Sequence, residues 1–326
     1  MMRPLVQRAA FGGSATHRSA STIDPQALMR IKNLELRART VVEGFLSGMH
    51  RSPFHGFSVE FTEYRQYTLG DDLRYVDWKL FARCDRYYVK RFEDETNLRC
   101  YLLVDTSRSM QFGSLFYNKA DYARTAAATL AYFLTLQRDA VGVITFDDQV
   151  VEYLPARYRV GHIHRVLAAL ARPTPGSGTN LGVPLQQTAR LAAKRGLVVL
   201  ISDLLTPSDV LQQHLPYAHT RGHEVIVLRI IDPAERQLSF SQPSIIVDLE
   251  TGRQIYVDPE VARAEYQRRF EAHARQLRQI CAELGADYFE LQTDQPLEFA
   301  LFDFLQARVR RGRRVLRRRK SVGTTA

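Results

Sequence analysis

The chain has 326 residues, 45% hydrophobic and 25% charged, the balance of an ordinary globular protein with a large core. No apolar run approaches the roughly 18–20 residues that cross a bilayer, and the strongest, LVVLI at 197–201, has strand length. The formal net charge of +10 sits at the ends: residues 308–320 hold nine bases, residues 1–23 hold three, neither holds an acid, and the remainder carries 33 bases against 35 acids. That distribution excludes a basic surface over the whole protein and leaves a basic tail as the only route to nucleic acid or an anionic membrane.

Residues 1–23, rich in Ser, Ala and Arg, read as a disordered N-terminal tail. Their composition also fits a transit peptide, and no apolar stretch supports a secretory signal. Asp24-Pro25 reads as the N-cap and first residue of one helix of about 20 residues, through Leu28, Ile31, Leu34 and Leu36 to Gly44 or Gly48. Residues 24–97 are predicted to combine this helix with a small antiparallel layer. FSVEF and YYVKRFE alternate like strands, with a turn at Gly70-Asp71. Between Glu63 and Lys79, acids and bases alternate around Trp78, which fits an ion-pair network or a docking surface.

From 98 the pattern changes to alternating strands and helices, which predicts an α/β fold with a doubly wound, mostly parallel sheet over 98–307. LRCYLLV is a strand buried on both faces, followed by a helix at about 116–137. AVGVITF and QVVEYL form a hairpin about Asp147-Asp148. Helices near 161–171 and 182–194 flank a Gly-rich loop, and GLVVLISD and HEVIVLRI are further buried strands. Residues 244–258 form an inserted hairpin turning at Thr251-Gly252. A helix near 259–284, the strand DYFELQ and a helix at about 296–309 lead into the basic tail, 308–326.

Three loops that leave predicted strand ends or face them carry oxygen ligands: Asp105-Thr106-Ser107-Arg108-Ser109, GSGTN with Thr179, and Ser202-Asp203. In open α/β sheets ligands bind beyond the carboxyl ends of strands, where strand order reverses. The carboxylates of Asp105 and Asp203 and the hydroxyls of Ser107, Ser109 and Thr179, with no soft ligand, suit a hard divalent ion such as Mg²⁺ rather than zinc. Asp105 and its serines also suit a strand-end turn or helix cap.

Rival chemistries find less support. G-x-S-x-G and G-x-x-x-x-G-K-[ST] are absent, GSGTNLG has Leu181 where a dinucleotide loop needs Gly, and Ser107 replaces the second Asp of a phosphoaspartyl enzyme. His162 and His164 point to different sides of a helix. Cys84, Cys100 and Cys281 lack metal or framework spacing, as reduced thiols in the cytoplasm would.

D-x-S-x-S with a distant Thr and Asp resembles the metal-ion-dependent adhesion site of von Willebrand factor A domains, with Asp105, Ser107, Ser109, Thr179 and Asp203 at its five positions. GDDLRYVDWKLFAR at 70–83, with Glu63-Tyr64-Arg65 before it, resembles the hallmark of the domain-of-unknown-function 58 family. The resemblance implies a von Willebrand factor A-like domain in which these five residues hold Mg²⁺ or another hard divalent cation, directly or through water. A partner protein's Asp or Glu would complete the shell. It further implies an adaptor role beside a MoxR-type AAA+ ATPase in protein maturation or remodelling, and with the reduced thiols the chain reads as a cytoplasmic, non-enzymatic module. The alternatives are a metal-assisted hydrolase, with Asp121 or Asp147 as base, and a nucleic-acid or anionic-surface binder acting through the basic tail.

Overall fold

In a computed structural model of the protein, the described residues are 23–51, 63–66, 88–91 and 98–307, apart from 175, 177, 179, 193, 220–221, 239, 241 and 249–251. The expected N-terminal and basic tails, the FSVEF strand and the Gly70-Asp71 turn lie outside them, as does most of the charged segment around Trp78.

The opening helix is two helices. Helix α1, Pro25–Met29, is capped by Asp24, whose carboxylate accepts from the Gln26 amide. Helix α2, Leu34–Arg51, restarts because Asn33 offers a side-chain oxygen to the Leu36 amide. The Asn33 cap therefore overrides an apolar spacing that runs on through Ile31. Strands β1, Glu63–Gln66, and β2, Tyr88–Arg91, pair antiparallel in a separate two-stranded sheet.

The main sheet is built from β3 (Arg99–Asp105), β4 (Ala140–Phe146), β5 (Val150–Arg157), β6 (Leu197–Ser202), β7 (Glu224–Ile231) and β10 (Asp287–Gln292). Its order is β10-β7-β6-β3-β4-β5, parallel except for β5 against β4. Helices α3 (Lys119–Leu136) and α4 (His162–Ala171) pack on one face. Helices α5 (Gly182–Leu191), α6 (Ser208–His219) and α8 (Pro259–Glu283) pack on the other. Alternation within β3 serves both faces: Cys100, Leu102 and Val104 enter the first core, Tyr101 and Leu103 the second. Leu28, Val41, Val42 and Phe45 of α1 and α2 join the first core, with Leu301 and Phe304 of helix α9 (298–307). Cys100 and Cys281 are buried in opposite cores.

Helix α6 has no counterpart in the predicted elements, because Pro216 lies inside it and only Leu211, Leu215 and Ala218 are buried. The predicted insertion is present as β8 (Ser244–Val247) against β9 (Gln254–Val257), preceded by the short helix α7 (Pro233–Gln237). His162, at the start of α4, is buried with its Nε2 2.8 Å from the Val141 carbonyl oxygen, whereas His164 is exposed beside Glu35.

Candidate metal centre

The order of the main sheet sets the site. From β3 the chain moves outward to β4 and β5, then returns across β3 to begin β6, so strand order reverses between β3 and β6. The parallel register pairs Val104 with Ile201. One step further, Asp105 closes β3 and Ser202 closes β6, both at the carboxyl rim of this switch point.

The Asp105 loop is held from both sides. The Thr106 amide donates to the Phe146 carbonyl at 2.7 Å and its hydroxyl donates to the same oxygen at 2.9 Å, which ties the loop to β4. The Ser107 amide donates to Asp105 Oδ1 at 2.9 Å, turning the chain back toward the carboxylate. The Ser107 and Ser109 hydroxyls lie 3.1 Å apart and share a hydrogen bond. Thr106 is thus spent on β4 and Arg108 is exposed, while Asp105, Ser107 and Ser109 stay together. Ser202 then donates to Asp105 Oδ2 at 2.5 Å, joining the ends of β3 and β6.

Asp105 is fully buried. Burial, reinforced by the neighbouring charge of Asp203, pushes its carboxyl up to about 7, against the hydrogen bonds from Ser202 and Ser107. Asp203 is also buried, and each of its oxygens is engaged. Its Oδ1 accepts from the Leu205 amide at 3.3 Å, its Oδ2 from Lys119 Nζ at 2.8 Å, and its carbonyl from Arg229 Nε at 3.1 Å. Leu204, which follows, takes the left-handed φ of 52°, and its amide donates to the Ser202 hydroxyl at 3.1 Å. A leucine in the left-handed region is strained, and the hydrogen bonds on either side of it hold the turn.

Thr179 lies outside the described residues. Its loop nonetheless reaches the site. Gly176, at φ +68°, sits so close that a Cβ there would lie 2.9 Å from the Thr106 carbonyl oxygen and 3.0 Å from the Arg108 nitrogen. Asn180, one residue beyond Thr179, donates its amide to the Asp147 carbonyl, and its side-chain oxygen accepts from the Gly182 amide at the start of α5.

Sequence reasoning missed the basic side of the centre. Lys119, the first residue of α3, has no exposed surface, and its ammonium bridges Asp203 and Glu235, the latter at 2.5 Å. Burial pulls its pKa down, but the charges of Asp203 and Glu235 prevail and leave it raised. Glu235 is raised by burial, which the ammonium only partly offsets. Glu235 belongs to the capping box of α7, its other oxygen accepting from the Asp232 amide at 3.1 Å. Arg229, wholly buried on β7, stacks its guanidinium 4.9 Å from the Phe270 ring centre. Two signals were present in the sequence: a lysine at a helix start, where the dipole disfavours it, and an arginine inside an apolar strand.

The acids that a hydrolase would need as bases have other contacts. Asp121 sits in the first turn of α3, 3.6 Å from Arg124, and Asp147 Oδ1 accepts from the Gln149 amide in the β4–β5 turn. Among the described residues no group of three or more His, Cys, Asp and Glu side chains is placed to hold a metal ion. A cation here would rest on hydroxyls and carboxylates together. That donor set is all oxygen, which fits a hard ion.

The fold and site define an α/β protein with a mostly parallel central sheet flanked by helices, a small antiparallel sheet, and a buried cluster of Asp and Ser side chains at the switch point. Residues 63–278 match the family described as "Protein of unknown function DUF58", and the chain belongs to that family. Uncharacterized proteins of Mycobacterium bovis and Mycobacterium tuberculosis are each 29% identical over 294 residues, spanning 89% of this chain and 92% of theirs. Among solved structures, a conserved hypothetical protein BatB from Bacteroides thetaiotaomicron is similar at a TM-score of 0.45 and 15% identity, covering 64% of this chain and 98% of that one. An aerotolerance-related membrane protein from Bacteroides fragilis is similar at 0.41 and 16%, covering 62% and 96%. No described helix is long and apolar enough to cross a membrane.

Proposed function

We propose that this is a metal-dependent protein-interaction module with a von Willebrand factor A-like domain, working in the cytoplasm as an adaptor rather than an enzyme. The observation that supports the reading is the clustering of Asp105, Ser107 and Ser109 at the strand-order reversal, where Ser202 joins their loop to the one that carries Asp203. Ser107 and Ser109 would offer hydroxyl oxygens, Asp105 and Asp203 would act largely through water because their oxygens already accept other donors, and Thr179 would complete the set. When bound, Mg²⁺ supplies an electrophilic position for a carboxylate from the partner. The chain's part is to hold these oxygens fixed at the rim of the sheet.

The partner class is a MoxR-type AAA+ ATPase, to which the ATP hydrolysis would belong, with maturation or remodelling of other proteins as the outcome. The test is affinity capture of such an ATPase by wild type and Asp105→Ala, with Mg²⁺ or with chelator. Capture that needs both Mg²⁺ and Asp105 is expected. Equal recovery in every condition overturns the reading. A variant lacking 308–326 should keep this capture, whereas a binder acting through its basic tail would lose its partner.

A further inference from the structure

The Lys119 ammonium is a cation that the fold itself supplies to the candidate centre. Two of its three N–H bonds point to carboxylates, Asp203 Oδ2 at 2.8 Å and Glu235 Oε1 at 2.5 Å. The Phe112 ring centre lies 5.8 Å from the nitrogen, and the Lys119 amide donates to the Phe112 carbonyl at 2.9 Å. The ammonium therefore bridges the start of α3, the end of β6 and the capping box of α7. It is fully buried, so solvent does not screen it.

Asp203 consequently faces two demands. As a member of the candidate cation set it must lend negative charge to the ion, yet its Oδ2 already serves an ammonium. In a site of low effective dielectric, a fixed positive charge a few ångströms from a divalent ion opposes its entry strongly. Glu235 moderates this. By taking a share of the ammonium it leaves more of the Asp203 charge for the ion.

We propose that Lys119 is an internal competitor for the Asp203 carboxylate, so that the divalent-ion affinity of the centre is set by how Asp203 and Glu235 divide its ammonium. The inference rests on the metal-site reading above and assigns a tuning role to two residues outside the candidate ligand set. It predicts opposite effects from two substitutions that a purely structural role would push the same way. Lys119→Gln frees Asp203 and tightens binding. Glu235→Gln concentrates the ammonium on Asp203 and weakens it.

The experiment is titration of the full-length protein with Mn²⁺, followed by the electron paramagnetic resonance signal of the free ion. Lys119→Gln should bind Mn²⁺ at least about tenfold more tightly than wild type, and Glu235→Gln at least about threefold more weakly, since each removes a unit charge close to the ion. Adding Asp105→Ala to Lys119→Gln should abolish the gain. Affinity in folded Lys119→Gln no greater than wild type, with binding still dependent on Asp105, overturns the inference and leaves the metal site standing. Mn²⁺ binding indifferent to Asp105, or none in any variant, overturns the metal site and the inference together. If Lys119→Gln does not fold, Glu235→Gln decides alone: weaker binding supports the competition, and equal or tighter binding overturns it.

Discussion

Ser202 donates its hydroxyl to Asp105 at 2.5 Å and accepts the Leu204 amide at 3.1 Å, so one small side chain fastens β6 to β3 and fixes the turn that carries Asp203. Ser202→Ala leaves Asp105 Oδ2 without its donor and the Leu204 amide without its acceptor. Loss of a hydrogen bond to such a group costs about 1.5–3 kcal/mol, which urea denaturation would read as a lower midpoint with an unchanged slope.

Stability of the metal-free protein should fall as pH rises. Burial, with Asp203 nearby, holds Asp105 up at about 7, against roughly 3.9 in the unfolded chain. Between these values the folded state keeps a proton that the unfolded state has released, so each step upward in pH favours unfolding. Glu235, also raised by burial, slopes in the same direction. Lys119, held above its ordinary value, stays charged throughout and adds no slope. In chelator, thermal melts from about pH 5 to about pH 8 should show a declining Tm. Asp105→Asn should flatten that decline.

Removing the buried ammonium exposes the cost of the acids around it. Lys119→Met leaves Asp203 and Glu235 facing each other without a counter-charge, and losing one partner of a buried ion pair costs about 3–5 kcal/mol. Lys119→Met combined with Glu235→Leu should recover part of the loss. Equilibrium unfolding of the single and double variants measures the coupling.

Two glycines separate backbone strain from crowding. Both take left-handed φ: Gly161 at +76°, where a side-chain carbon would meet nothing within 4 Å, and Gly176 at +68°, against the Thr106–Arg108 backbone. Gly161→Ala should cost only the conformational penalty, about 1–2 kcal/mol. Gly176→Ala must also push the Asp105 loop, so it should cost more and weaken Mn²⁺ binding, whereas Gly161→Ala leaves that binding unchanged. Denaturation midpoints and Mn²⁺ titrations of the two variants make the comparison.

The strands of the main sheet were legible because apolar runs such as LVVLI can be buried on two faces at once. Asp105 and Asp203 were legible as acids terminating such runs, and alternate spacing already grouped Ser107 and Ser109 with Asp105. The break before Leu34 was hidden by continuous apolar spacing, which a single Asn33 cap interrupts. Helix α6 was hidden by Pro216. Lys119 was illegible for a different reason: its partners are 84 and 116 residues away, and no local pattern encodes contacts at that separation. Thr179 was legible only through its motif position, and it lies outside the described residues.

Helices α1 and α2 carry a consequence for how the molecule can be cut. Leu28, Val41, Val42 and Phe45 share a core with α3, while Glu298 of α9 accepts the Ile23 amide at 2.8 Å across 275 residues. The family-matched stretch, 63–278, leaves both ends of this clasp behind. Each lost core side chain forfeits about 1.5–3 kcal/mol of burial, so a fragment trimmed to the match would expose the sheet it is meant to isolate. The cooperative unit is therefore wider than the 63–278 family match, and truncation series should begin before Ile23 and end after 307.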